Sequence, residues 1–112
     1  MKKRICALIA VVLMFASVGQ VLAKDGRYVR EEAARRDMKL LTIEQAKDIA
    51  AKRLGSANVR FKDFDLDNEA DDYPNGSDFR PVYEFECLSG GREYDFEIDA
   101  VTGEVLKFKL DD

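Results

Sequence analysis

The sequence predicts an α+β fold, one main α-helix packed on a four-stranded antiparallel sheet of meander order, and three observations predict it. A capped amphipathic stretch runs from Thr42 to Gly55. After Gly55 the hydrophobic period drops from about 3.6 to about 2, the change from helix to strand. Two later turn signals then bring alternating apolar side chains onto a single face.

The elements follow in chain order. Lys2, Lys3 and Arg4 precede an apolar run from Ile5 to Val18, and Val21 and Ala23 fit the −3 and −1 positions of a signal-peptidase site. This tripartite pattern predicts a secretory signal peptide over residues 1–23, cleaved after Ala23. The alternative is an uncleaved anchor, since Ile5 to Ala23 is 19 residues and a span needs about 20. Cys6 follows the basic residues directly, too early for a lipid-modified cysteine. Cleavage leaves 89 residues with Cys87 as the one cysteine, so no internal disulfide is expected. No stable membrane span is expected after cleavage, and the expected location is periplasmic or extracellular.

Residues 24–39 form a basic segment carrying Arg27, Arg30, Arg35, Arg36 and Lys39. Tyr28, Val29, Ala33, Ala34 and Met38 give it a weak helical stripe, which predicts a loosely held helix. The main helix is clearer. Thr42 with Gln45 makes a capping box, Gly55 supplies a stop, and Ile43, Ala46, Ile49, Ala50 and Leu54 recur at spacings of three and four. The domain proper is expected over 40–112.

In the first strand Val59 and Phe61 alternate, then Phe64 and Leu66 continue one phase later, which predicts a bulge near Lys62 and Asp63. A loop follows from Asn68 to Phe79. A two-residue Gly90-Gly91 turn pairs Cys87 with Tyr94, Phe85 with Phe96 and Tyr83 with Ile98, so every apolar group meets on one face. For the last hairpin a three-residue loop, Val101-Thr102-Gly103, pairs Leu106, Phe108 and Leu110 with Ile98, Phe96 and Tyr94. Gly103 then occupies the left-handed position, and Asp99 and Thr102 complete the turn signature with side chains that bond turn amides.

These registers also locate the charge. The mature chain has 15 basic and 22 acidic residues, net −7, split into +5 over 24–62 and −12 over 63–112. On the polar face Glu86 is expected opposite Asp95 and Glu84 opposite Glu97, with Lys109 and Lys107 compensating from the far side and Glu84 and Glu86 left at the least compensated seam. Such a face is either solvated, as antiparallel sheets allow, or a docking face for a cationic partner. The basic segment of the same chain is one candidate to cover it. Nucleic acid is not an expected partner, because phosphate binding rests on Lys and Arg.

The chemistry classes narrow quickly. The absence of His removes Ser-His-Asp triads, Cys-His dyads, and His-ligated zinc. Asp63 to Glu69 alternates like a calcium loop, but Asn68 stands where an EF-hand needs Gly and Pro74 where it needs Glu. A looser cation site among Asp67, Glu69, Asp71, Asp72 or Asp78 stays open beside a plain acidic loop. Cys87 is expected in the core. No cofactor and no resident metal are expected, and the chain is not expected to be an enzyme.

Thr42 to Ala50, then Pro81-Val82-Tyr83-Glu84-Phe85-Glu86, then Tyr94 to Leu106 with its Asp99-Ala100-Val101-Thr102-Gly103-Glu104-Val105 turn, together resemble the PepSY domain family over about Met38 to Leu110. The resemblance implies a helix on an antiparallel sheet, as in the propeptides of thermolysin-like metalloproteases, and local restraint of peptidase activity in the cell wall or periplasm. It carries no catalytic residues and no sharp inhibitory motif. No protease domain follows in this chain, so inhibition is expected to act in trans. The function expected is a protein-binding module acting on a peptidase or another envelope protein through the acidic face (Glu84, Glu86, Asp95, Glu97) or an exposed edge strand. The alternative is a small divalent-cation-binding or sensing envelope protein.

Overall fold

A computed structural model describes residues 26–111; the expected signal peptide and the expected cleavage after Ala23 lie outside the described residues. Two helices, α1 (Arg27–Arg35) and α2 (Ile43–Leu54), precede strands β1 (Arg60–Asn68), β2 (Pro81–Ser89), β3 (Arg92–Asp99) and β4 (Val105–Asp111). The strands form one antiparallel meander in the order β1-β2-β3-β4.

α2 starts and stops where its sequence dictates. Gln45 N donates to Thr42 Oγ1 at 3.0 Å and Thr42 N to Gln45 Oε1 at 2.9 Å, the reciprocal box that satisfies two otherwise orphaned donors. Gly55, at φ 68°, ends it in the left-handed conformation. Ile43, Ala46 and Ala50 are buried against the sheet. The chain entering α2 is tied to the sheet by two bonds: Leu41 N donates to Ala100 O at 2.7 Å, and the Tyr83 hydroxyl donates to Leu41 O at 2.7 Å.

The β2–β3 register is the predicted one throughout, from Val82 opposite Asp99 to Ser89 opposite Arg92, with Gly90 and Gly91 both at positive φ. The β1 bulge is also where the phase change put it. Pairing shifts by one residue between Lys62 and Asp65, and Asp63 takes φ 56°. That shift returns Phe64 to the apolar face, where it stacks on Phe85 at 4.4 Å; Phe85 in turn stacks on Phe96 at 5.6 Å. Cys87 is fully buried beside these rings, as expected, and burial pushes its thiol up to about 12.

Two expectations are corrected. Five residues, Ala100–Glu104, separate β3 from β4, and Ile98 faces Val105 instead of Leu106. The Ala100 amide donates to Pro81 O, which leaves Asp99 N to pair with Glu104 O at 2.9 Å, and the Gly103 amide closes on Asp99 O. One extra residue is then absorbed as an irregularity after Glu97–Lys107. Gly103 keeps its positive φ of 83°.

The basic segment is also not loosely held. Val29 and Ala33 of α1 are 3% and 1% exposed and belong to the same core as Leu66, Phe79 and Tyr83. Gly26 enters α1 so close to β1 that a Cβ there would lie 2.9 Å from Leu66 Cβ. α1 therefore packs on the apolar layer and does not cover the acidic face. Its charges are engaged elsewhere: Arg35 and Arg36 both bond Glu32 at 2.7 Å, and Arg36 reaches Asp78 at 3.0 Å.

Candidate functional site

Strand alternation places the sheet's second face in solvent, and the three registers write it out row by row. One row reads Asp65, Glu84, Glu97, Lys107 across the strands, and the next reads Lys62, Glu86, Asp95, Lys109. Each row puts two or three acids side by side before a lysine. Directly opposed like charges weaken a sheet by a few tenths up to about 1 kcal/mol each. Between the rows lies an open groove of about 230 Å³ walled by Asp63, Asp65, Glu84, Glu86, Asp95 and Glu97 against the single cation Lys107.

All four residues expected on this face are brought together there, but compensation is distributed differently from the expectation. Glu86 gains Lys62 from β1 at 3.5 Å, and Lys62 also holds Glu93 at 2.7 Å. Lys62 pulls the Glu93 carboxyl below its usual range, while the hydrogen bond with Glu93 pushes Glu86 up. Lys107 stands 3.9 Å from Glu97. Among the described residues no ion pair reaches Glu84 or Asp95. The least compensated position is therefore Glu84, flanked by Asp65 and Glu97 on its neighbouring strands.

The loop after β1 closes one end of this face. Asn68 Oδ1 accepts from Ala70 N and Arg80 N, and Glu69 N donates to Arg80 O, which folds residues 69–79 back over the sheet end. Glu69 thereby meets Glu84. A hydrogen bond with the Glu84 carboxylate, burial, and a further bond with Asp72 push Glu69 up to about 9. Tyr73 lies beside Glu97, and burial together with that carboxylate pushes its hydroxyl up to about 12. Carboxylate oxygens of Asp67, Glu69 and Glu84 all lie within 4.8 Å of one another. Of the loop acids considered for a cation, only Asp67 and Glu69 join this cluster. Asp78 pairs with Arg36.

The raised Glu69 carboxyl makes stability pH-dependent. The folded state keeps a proton that the unfolded chain releases near 4.5, so stability falls as pH rises from there toward 9. Glu69→Gln keeps a hydrogen-bonding group without that charge. Thermal melts are expected to show it more stable than the parent at pH 8, with the difference shrinking toward pH 5.

At the same end sits the turn Asp99, Thr102 and Gly103. Asp99 Oδ1 accepts from the Val101 and Thr102 amides at 2.8 and 2.9 Å, and Oδ2 accepts from Arg80 Nε at 2.8 Å. Thr102 Oγ1 accepts from Glu104 N. These residues build the hairpin. Arg80 is the neighbour that sequence reading missed, and its signal is the register itself: with Val82 opposite Asp99, Arg80 is the diagonal same-face neighbour.

A helix start capped by Thr42, the β2 strand around Tyr83 and Phe85, and the Asp99–Gly103 turn thus occur in one hydrophobic unit. The family model for the peptidase propeptide and YPEB domain, PepSY, matches residues 40–109. The chain belongs to the PepSY family. Comparison with curated proteins and with solved structures gives no match. In this PepSY domain the matched span comprises α2 and nearly all of the sheet, and α1 adds Val29 and Ala33 to its core. Membership places the chain with propeptide-like regulatory or binding modules. Among the described residues no helix is long and apolar enough to cross a membrane.

Proposed function

We propose that this PepSY domain is a non-enzymatic, exported protein-binding module that modulates a peptidase of the cell envelope in trans, docking a cationic surface on the face of Glu84, Glu86, Asp95 and Glu97. The observation that carries the reading is the Glu84–Glu97 seam, where two carboxylates stand opposite each other with Asp65 beside them. An arrangement that opposes folding by itself is relieved when a partner's Lys or Arg enters it. Family membership supports the peptidase as the class of target.

The test is affinity capture from an envelope extract with the purified protein and with a Glu84→Gln/Glu97→Gln variant, scored for peptidase activity. The parent is expected to retain a peptidase and lower its activity, with binding weakened by added salt as Debye screening requires. The variant is expected to melt a few degrees higher, by relief of the opposed charges, while losing capture. Recovery of no protein partner at low and moderate salt removes the reading. A second reading, divalent-cation binding, is favoured by the convergence of Asp67, Glu69 and Glu84. It would be supported by a rise in Tm that is specific to calcium and survives added NaCl.

A further inference from the structure

The two edges of the sheet are guarded differently. At β1 the bulge at Asp63 breaks the flat run of pairing, and α1 packs against Leu66. Bulges and covering elements are the usual means of closing an edge to further strands. At β4 neither is present along the outer half. From Lys107 to Asp111 the strand pairs regularly with β3, and among the described residues none of its backbone hydrogen bonds goes to any other segment. Phe108 and Leu110 are 38% and 37% exposed on one side of this edge. Lys107 and Lys109 flank it on the other.

We propose that the β4 edge adds a strand from a partner protein, and that the strand it takes alternates acidic with apolar residues. The charge rows choose the acids. Each runs acid, acid, lysine across β2, β3 and β4, so the next strand's residue beside Lys107 or Lys109 completes the row best as a carboxylate. Lys109 has no ion pair among the described residues, and Lys107 reaches Glu97 only at 3.9 Å. The apolar half of the alternation follows from Phe108. Its ring lies 4.8 Å from Phe96 and 5.6 Å from Tyr94, with the Arg53 guanidinium over it at 4.9 Å. Held on these sides, it offers a fixed platform to the side chain of an incoming strand, as strand addition requires. The same lysines reject a second copy of this chain: the antiparallel self-pairing that sets Phe108 opposite Phe108 also sets Lys107 opposite Lys109. Specificity thus comes from one feature that attracts acids and repels itself. This edge adjoins the acidic face, whose rows end on Lys107 and Lys109, but it takes an acidic strand where that face takes cations, so its failure leaves that reading intact.

The experiment uses the purified protein and three labelled nine-residue peptides: alternating Glu and Val, alternating Lys and Val, and a scrambled Glu and Val peptide. Anisotropy titrations are expected to show the alternating Glu peptide binding about tenfold tighter than either control, the effect of two favourable charge pairs in place of unfavourable or misplaced ones. Amide shifts on binding are expected at Lys107–Asp111. Lys109→Gln is expected to weaken binding about fivefold, and Lys109→Glu further, with unfolding midpoints reported alongside. Equal binding of the scrambled peptide overturns the proposal. So do amide shifts confined to β1 or α2, binding unchanged in folded Lys109→Gln, or a concentration-dependent dimer that Lys109→Gln alters.

Discussion

Asp99→Ala is expected to cost about 3–5 kcal/mol, the usual consequence of removing one partner of a buried ion pair. The side chain is 6% exposed and accepts three bonds. Its loss leaves the Val101 and Thr102 amides without their acceptor and Arg80, 13% exposed, with only Glu104 at 3.4 Å and the Tyr73 carbonyl. A domain of this size holds about 5–10 kcal/mol in all, so urea unfolding is expected to show a large drop in midpoint or no cooperative transition. Asp99→Asn keeps one acceptor for the turn amides but offers Arg80 no carboxylate, and is expected to fall between. The acid limb gives an independent check. Burial raises the Asp99 carboxyl, but the Thr102 amide, Arg80 and the Val101 amide outweigh it and hold the group below its usual value of 3.8. A depressed carboxyl stabilises the fold above the unfolded value, and that contribution disappears as pH falls through the folded one. Asp99→Asn should therefore flatten the loss of stability below about pH 4.

What the sequence shows of this fold depends on whether local pattern and turn chemistry speak to the same choice. In the β2–β3 hairpin they do, because a two-residue Gly90-Gly91 turn is also the register that gathers Tyr83, Phe85 and Cys87 with Ile98, Phe96 and Tyr94, whereas a three-residue Ser89-Gly90-Gly91 loop would pair them with acids. In β1 the step from Phe61 to Phe64 can only be reconciled with one apolar face by a bulge. The β3–β4 turn is ambiguous for a physical reason. Val105 and Leu106 are both apolar, so the pattern accepts either opposite Ile98, and the choice is made by the Ala100 amide bonding Pro81 from another strand. The site shows the same division. Glu84, Glu86, Asp95 and Glu97 share a face because strand period dictates it. The approach of Glu69 to Glu84 depends on Asn68 folding a loop back, which no periodicity reports. Compensation of Glu86 by Lys62 required the β1–β2 register, set by a bulge whose position was legible but whose partner residues were not.

α1 shows how charge can mislead about attachment. The cations in and just after it (Arg27, Arg30, Arg35, Arg36 and Lys39) and the −12 of residues 63–112 suggest electrostatic docking, yet the buried contacts are Val29 and Ala33 against a layer containing fully buried Leu66 and nearly buried Phe79. Burying a valine contributes about 1.5–3 kcal/mol, and uncovering Leu66 and Phe79 adds to the loss. Removal of residues 24–39 is thus expected to destabilise the domain by about 4 kcal/mol or more. The salt dependence of that loss discriminates between the two attachments. Arg36 meets an Asp78 side chain that is 83% exposed, and such surface pairs contribute little and are screened. The destabilisation should then be nearly the same in about 0.05 M and about 0.5 M NaCl, whereas docking by charge predicts a loss that fades with salt. Val29→Asp is the single-residue version: it keeps Arg35, Arg36 and Lys39 and places a carboxylate in the apolar layer. It should reproduce most of the truncation's effect, and Arg36→Gln should reproduce almost none.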